Sequence, residues 1–182
     1  ALAAGAHIIN DVSALRYDPR SRELAAASNA PVVLMHAPGK GDDLHSDGHY
    51  ADVVLDVFDW LEEARDEAVA AGIERERILL DPGIGFGKTL AENLALMNAI
   101  ALYHALGHPL LVGASRKRMI GALSNEAAAH ERLGGSITLA LKAIEAGAHI
   151  VRVHDVAETV QAVRVWRGMR DAALTDFSQL VD

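Results

Sequence analysis

The sequence predicts a parallel α/β fold closing as a (β/α)8, or TIM, barrel, of which this chain supplies about five βα units. Three observations carry that reading. Five short apolar runs lack the polar alternation of a one-sided sheet, glycines punctuate the return from helix to strand, and every run ends in distinctive polar residues.

In order, the strands are read as His7 to Asn10, Val32 to His36, Ile78 to Asp81, Leu110 to Gly113 and Ile150 to His154. Runs this short and apolar fit strands buried on both faces, with helices outside. Spacings of three and four residues mark the helices: Val54, Val57, Phe58, Leu61, Ala64 and Ala68; then Leu94, Met97, Ala101 and the run to Leu106; then Leu133, Ile137, Leu141 and Ile144. Gly5, Gly72, Gly107 and Gly147 each stand just past a helical stretch and shortly before a strand, where glycine closes a helix in the left-handed conformation. Ala-Gly-Ala-His-Ile occurs at Ala4 to Ile8 and again at Ala146 to Ile150, one architectural rule used twice.

Repetition of strand and helix admits an open doubly wound sheet or a closed barrel. The polar strand ends decide between them: Asn10 with Asp11, His36, Asp81, Ser115 to Lys117, and Arg152 with His154. A barrel gathers all its strand ends around one mouth, whereas an open sheet uses mainly its switch point. A complete barrel takes about 250 residues and eight units, so residues 1–182 are read as a single, N-terminally incomplete barrel domain. The absent units would leave sheet edges and apolar helix faces uncovered, which predicts association of the isolated chain.

At 182 residues and 51% hydrophobic, the chain can bury one substantial core. It contains no cysteine, which removes disulfides, thiolate nucleophiles and cysteine-bound zinc and fits a reducing, cytoplasmic setting. No apolar run approaches the roughly 20 residues that span a bilayer, so a soluble protein with no membrane partner is expected. A net charge of −8 argues against a nucleic-acid surface. Lys88, Arg116, Lys117, Arg118 and Arg152 nevertheless fall at or near strand ends, and local positive charge in an acidic protein fits a small anionic substrate.

Leu110-Leu-Val-Gly-Ala-Ser-Arg-Lys117 is a buried strand ending in a hydroxyl and two cations, and Ile150-Val-Arg-Val-His-Asp155 repeats the design. Asp81-Pro-Gly-Ile-Gly-Phe-Gly-Lys88 is an acidic strand end followed by three glycines and a lysine. It is not a nucleotide-binding P-loop, because Pro82 stands where that motif needs glycine, and neither Gly83 nor Gly85 opens a dinucleotide G-x-G-x-x-G pattern. Two readings remain: a glycine-rich turn with Asp81 capping a helix, or a loop whose backbone approaches a flat ligand while Asp81 hydrogen-bonds the ligand's polar edge. Taken singly, Asn10-Asp11 reads as a turn pair and His154 as a core or loop histidine. His36 receives no catalytic role, His104 and His108 straddle a helix end despite a metal-compatible spacing, and Lys40 to His45 reads as a solvated loop.

Taken together and in this order, Asn10-Asp11, Met35-His36, Asp81 to Lys88, Ser115-Arg-Lys117 and Arg152-Val-His-Asp155 resemble the dihydropteroate synthases, as far as about Met169. The resemblance implies a barrel of which these are strands 4 to 8, a magnesium cofactor, a homodimer, and a place in folate biosynthesis as a sulfonamide target. It implies a reaction in which 6-hydroxymethyl-7,8-dihydropterin pyrophosphate loses pyrophosphate and the amine of 4-aminobenzoate takes its place. By motif match, Asn10 and Asp81 hydrogen-bond the pterin, while Met35, Gly85 and Phe86 wall it. Lys117 reaches both the pterin and, with Arg118, the aminobenzoate side; Arg152 and His154 hold the leaving pyrophosphate. Lys117, Asp81, Arg152 and His154 form the implied catalytic set, and Ser115 is structural or a loop contact because no covalent nucleophile is needed.

The chain departs from the family in lacking the strands that carry an Asn-Val-Thr-Pro-Asp-Ser-Phe-like motif and the magnesium-linked Asn, so no metal ligand is expected within it. Arg118 stands where many members have Ser. The alternatives are a catalytically incomplete pterin-binding module and a pterin domain like that of methyltetrahydrofolate methyltransferases. Joint presence of Ser115-Arg-Lys and Arg152-Val-His favours the synthase.

Overall fold

The computed structural model describes residues 1–39, 43 and 46–174. Apart from Asp43, the expected solvated loop from Lys40 to His45 lies outside the described residues. The strands are β1 (Ile9–Asp11), β2 (Val32–Met35), β3 (Ile78–Asp81), β4 (Leu111–Val112) and β5 (Ile150–Val151). The α-helices are α1 (Ser21–Ala27), α2 (Val53–Ala70), α3 (Leu90–Asn98), α4 (Arg118–Leu123), α5 (Leu133–Glu145) and α6 (Val156–Arg170).

Every pairing is parallel, and spatial order follows chain order: β1, β2 and β3 form one ladder, β4 and β5 another, and a single bridge from Leu80 to Leu110 joins them. Among the described strands there is no reversal of order of the kind that makes a switch point in a doubly wound sheet. In β2, β3 and β4 both faces are buried, which is why those runs do not alternate in polarity. On one face Val32, Leu34, Ile78, Leu80, Leu110 and Val112 join Val57, Leu61, Ala64 and Ala68 of α2 in the main core. On the other, Val33, Leu79 and Leu111 form a second cluster with Ile150.

Helix closure follows the predicted rule. Gly5, Gly72, Gly107 and Gly147 have φ of +97°, +92°, +74° and +93°. The long helix α2 opens on Asp52, whose side chain accepts from the backbone N–H of Val54 and Leu55.

Several expected boundaries are corrected. The first strand starts at Ile9 rather than His7, because the ladder begins where the Ile9 N–H meets the Pro31 carbonyl. The second ends at Met35, and the fourth is only Leu111–Val112. The fifth ends at Val151 rather than His154. Arg152 N–H still reaches the Val112 carbonyl at 3.0 Å, but His154 N–H turns to the Ser115 hydroxyl at 3.2 Å. The second helical pattern divides in two. Helix α3 ends at Asn98, where the Ala99 N–H is shared between the Ala95 and Leu96 carbonyls, and Ile100–Leu106 continues as a 3-10 helix. There Ile100, Tyr103 and Leu106 are buried at the period of three that this tighter helix imposes.

In α5 the buried face is Ser136, Ala140 and Ala143, not the expected stripe of Leu133, Ile137, Leu141 and Ile144. Small residues let the helix lie close against its neighbours, so the larger apolar side chains ride on its flanks.

Candidate functional site

Register places the expected site residues on one face of the sheet. Asn10 pairs with Val33 and Val33 with Leu79; two residues further along, Met35 pairs with Asp81. Parallel partners point to the same side, and side chains repeat every second residue. Asn10 therefore shares the face of Val33 and Leu79, one side-chain level below Met35 and Asp81. The Leu80–Leu110 bridge sets Leu111, and with it Ile150, at the level of Met35 and Asp81, and Gly113 and Arg152 follow one level higher, where a Cβ on Gly113 would lie 3.9 Å from Arg152 Cβ.

Asp81 is the buried carboxylate of this mouth, 6% exposed. Its Oδ1 accepts the Gly83 N–H at 2.8 Å, and its backbone carbonyl accepts from His36 N–H at 3.0 Å. It caps no helix, since α3 starts nine residues later and is capped by Thr89 in a reciprocal box with Glu92. The helix-capping part of the turn reading thus gives way, while the glycine-rich turn stands, closed at its start by the buried Asp81 carboxylate on Gly83 N–H. Burial pushes the Asp81 carboxyl up to about 6, opposed by the Gly83 N–H and by the charges of Lys88, Lys117 and Arg152.

The loop after Asp81 is set by glycine geometry. Gly83, Gly85 and Gly87 all have positive φ. At Gly83 a Cβ would sit 1.8 Å from the His36 carbonyl oxygen, so only glycine fits there. At Gly85 a Cβ would meet Lys117 Cδ at 2.7 Å. Asn93 of α3 ties the loop to the helix: its Oδ1 accepts from Gly85 N–H at 2.6 Å, and its Nδ2 donates to the carbonyls of Lys88 and Thr89. Lys88 folds back beneath the loop, with Nζ 2.9 Å from His36 Nδ1, 2.9 Å from the Gly83 carbonyl and 3.0 Å from that of Phe86.

Lys117 follows β4 and lies over the Phe86 ring, Nζ 4.1 Å from its centroid. Burial lowers its pKa, Asp81 opposes that, and Arg152 adds to it. Arg116 takes a left-handed backbone at φ +57° and grips Asp155 with both arms of its guanidinium. Ser115 is buried, its hydroxyl 3.0 Å from His154 Nδ1, so the loops after β4 and β5 are clasped by two side-chain pairs. Arg152 and His154 remain exposed, and Arg152 has no carboxylate partner among the described residues. Arg118 begins α4, is exposed, and lines with Gly85, Lys88, Asn93 and Asp47 a polar cleft of about 440 Å³.

The structure thus brings Met35, Asp81, Gly85, Phe86, Lys117 and Arg152 to one mouth, with Asn10 a level lower and His154 and Arg118 on the rims. Asp11 does not join them: its Oδ1 accepts from Ser13 N–H, the Ser13 hydroxyl and Leu15 N–H, a turn. His104 and His108 are apart in role, the first against the Ala146 carbonyl and the second buried against that of Ile78. Sequence reasoning missed Asn93 and the structural part of His36 and Lys88. An asparagine in step with Leu96, Met97 and Ile100 on the core face of a helix was a readable signal for the first.

Magnesium, implied by the resemblance, does not fit the residues at hand. No three His, Asp or Glu side chains converge to hold a metal among the described residues. Asp81, the one buried carboxylate of the mouth, already lies in the field of three cations.

The pattern of the pterin binding enzyme family matches residues 1–154. The dihydropteroate synthase of Escherichia coli K12 is 47% identical over 161 residues, covering 88% of this chain and 56% of that protein. The fold is similar to Xanthomonas albilineans dihydropteroate synthase with 4-aminobenzoic acid, at 45% identity and a TM-score of 0.87, over 93% of this chain and 59% of that one. The same enzyme in complex with 7,8-dihydropteroate gives 44% identity and a TM-score of 0.86, over 93% and 61%. The chain thus spans about three fifths of the length of the relatives it matches.

Proposed function

This chain belongs to the pterin-binding enzyme family, and we propose that it carries the catalytic face of a dihydropteroate synthase, built on five consecutive units of a (β/α)8 barrel. The observation that carries the reading is the gathering of Lys117 and Arg152 around the buried Asp81 at the mouth, with the Lys117 ammonium held over the Phe86 ring. Strands laid in chain order, each ending at that mouth, support the barrel. Relatives crystallised with 4-aminobenzoic acid and with 7,8-dihydropteroate support the choice of substrates.

In this reading Asp81 takes the N–H donors at one edge of the pterin, Asn10 reaches it from below, and Met35 and Phe86 supply apolar walls. The bond between the pterin methylene carbon and the diphosphate oxygen breaks, and its electron pair leaves with diphosphate. The carboxylate of Asp81, at the far edge of the conjugated ring, stabilises the cationic character left behind. Arg152 offers a planar fork to the departing oxygens, and His154, oriented by Ser115, adds a donor. The amine of 4-aminobenzoate then forms the new C–N bond and releases a proton. Lys117, resting on Phe86, stands between the two reactants, and the cleft bearing Arg118 accommodates the aminobenzoate side.

A cytoplasmic homodimer completes the proposal; the half-exposed apolar flank of α5 gives it a surface, and sedimentation tests the assembly. The decisive experiment supplies pterin diphosphate and 4-aminobenzoate and follows dihydropteroate and diphosphate. Formation of both in equal amounts, with loss on Asp81→Asn, is the expected result. Pterin binding without any turnover would reduce the chain to a binding module, and absence of pterin binding would refute the site.

A further inference from the structure

Lys88 is spent inward. Its three ammonium hydrogens have three acceptors, His36 Nδ1 and the carbonyls of Gly83 and Phe86, and none of the three is charged. The acceptors come from the end of β2 and from both sides of the glycine loop, so one side chain fixes the loop against the sheet. His36 is shaped for the task. It is 3% exposed, its ring meets Trp60 edge-on at 4.8 Å and tilts against Tyr50 at 5.9 Å, and its backbone N–H holds Asp81.

We propose that Lys88, seated on His36, is a positioning residue of the pterin site: it holds the Gly83 and Phe86 carbonyls in the shape that presents Phe86 to Lys117 and the Gly83 N–H to the Asp81 carboxylate. The inference rests on the pterin reading of the mouth. Nothing in that reading assigns Lys88 a part, because its ammonium is turned beneath the loop.

The surrounding groups support it. Asp81 is faced by Lys88, Lys117 and Arg152, and Lys88 by Asp81, Glu92 and Lys117. Burial drives Lys88 down to about 7 and Asp81 up to about 6, and the largest influence opposing the rise at Asp81 is the Gly83 N–H that the loop presents. Burial, with Lys88 and Arg16 nearby, drives His36 down to about 3, so its ring stays neutral and Nδ1 keeps a lone pair for the ammonium.

The test is the pH dependence of pterin binding, followed by fluorescence from about pH 5 to pH 9. In the unsubstituted protein, affinity should fall on the acid side as Asp81 takes a proton. Lys88→Met should cost about tenfold or more at pH 7 and move that acid limb upward by about one unit or more, as the loosened loop withdraws the Gly83 N–H from Asp81. Lys88→Arg keeps the charge and donors for both carbonyls and should leave the limb in place, even if its bulk lowers affinity at every pH. Should Lys88→Met not fold, Lys88→Gln keeps only part of the donor set for the carbonyls and should move the limb in the same direction by less. An unmoved limb in the Met or Gln variant, or an equal shift in Lys88→Arg, overturns the inference while leaving the pterin site standing. Absence of pterin binding, or an acid limb that persists in Asp81→Asn, overturns the site reading beneath it.

Discussion

The two halves of the sheet are built to different standards. From β1 to β3 the ladder pairs three residues and then four, and Asp81 and His36 at its end are almost fully buried. From β4 to β5 it pairs only two, joins the first ladder through the single Leu80–Leu110 bridge, and ends in exposed Arg152 and His154. The difference follows the chemistry proposed for each side. A neutral, flat ring is recognised by donors and acceptors that must be held in place before it arrives. A leaving anion needs charge that is reachable, and side-chain clasps rather than a long ladder suffice to aim it.

The largest effect should come from breaking the rigid half at Gly83. Its φ is +69°, and an added Cβ would press 1.8 Å from the His36 carbonyl, which is backbone and cannot swing away. Gly83→Ala should destabilise the protein by about 3 kcal/mol or more in denaturant unfolding. A loss under about 1 kcal/mol would mean that the loop is less tightly set than the geometry indicates.

Next comes Asp81→Asn, with opposite effects on binding and stability. Pterin affinity should fall about a hundredfold, since a charged hydrogen-bonding group is lost from a closed site. Stability should rise. The carboxyl is raised from 3.8 to about 6 in the folded protein; a raised group contributes stability that is fully present below the unfolded value and is lost as pH climbs through the folded one. Above pH 6 the ionised Asp81 therefore costs about 3 kcal/mol, which Asn does not incur. Denaturation at pH 8 should show the variant more stable by about 2 to 3 kcal/mol, with the gap closing below about pH 4. An equal or less stable variant at pH 8 would contradict the burial argument.

The exposed half should respond more mildly. Arg152→Ala should weaken diphosphate binding about tenfold to thirtyfold, with Arg152→Lys recovering part of it and added salt eroding the difference. Pterin affinity measured without diphosphate should change little. Equal losses for both ligands would join the two halves more closely than the single bridge implies.

The same contrast governs what the sequence made legible. Patterns that depend on period or on backbone conformation were readable: strands buried on both faces, glycines at left-handed positions, and polar residues at strand ends. Those that depend on partners far along the chain were not. Lys88 finds its seat on His36, 52 residues away, and Ser115 meets His154 across 39 residues. The face of α5 was misread because volume, not hydrophobicity, selected Ala140 and Ala143 for the buried side. The fifth strand was read too long because Arg152 and His154 continue its pattern after its ladder has ended.

The smallest effect is the most discriminating for the clasp. The Ser115 hydroxyl accepts His154 N–H at 3.2 Å and lies 3.0 Å from Nδ1, so removing it leaves the histidine in place but freer to turn. Ser115→Ala should weaken diphosphate binding about fivefold, equivalent to the net worth of one hydrogen bond near 1 kcal/mol, with little change in folding. If that loss runs through His154, it should disappear in a His154→Ala background, giving a coupling of about the same size in a double-mutant cycle. Two strictly additive losses would place Ser115 outside the aiming of His154 and leave the Arg116–Asp155 pair as the working clasp between the two loops.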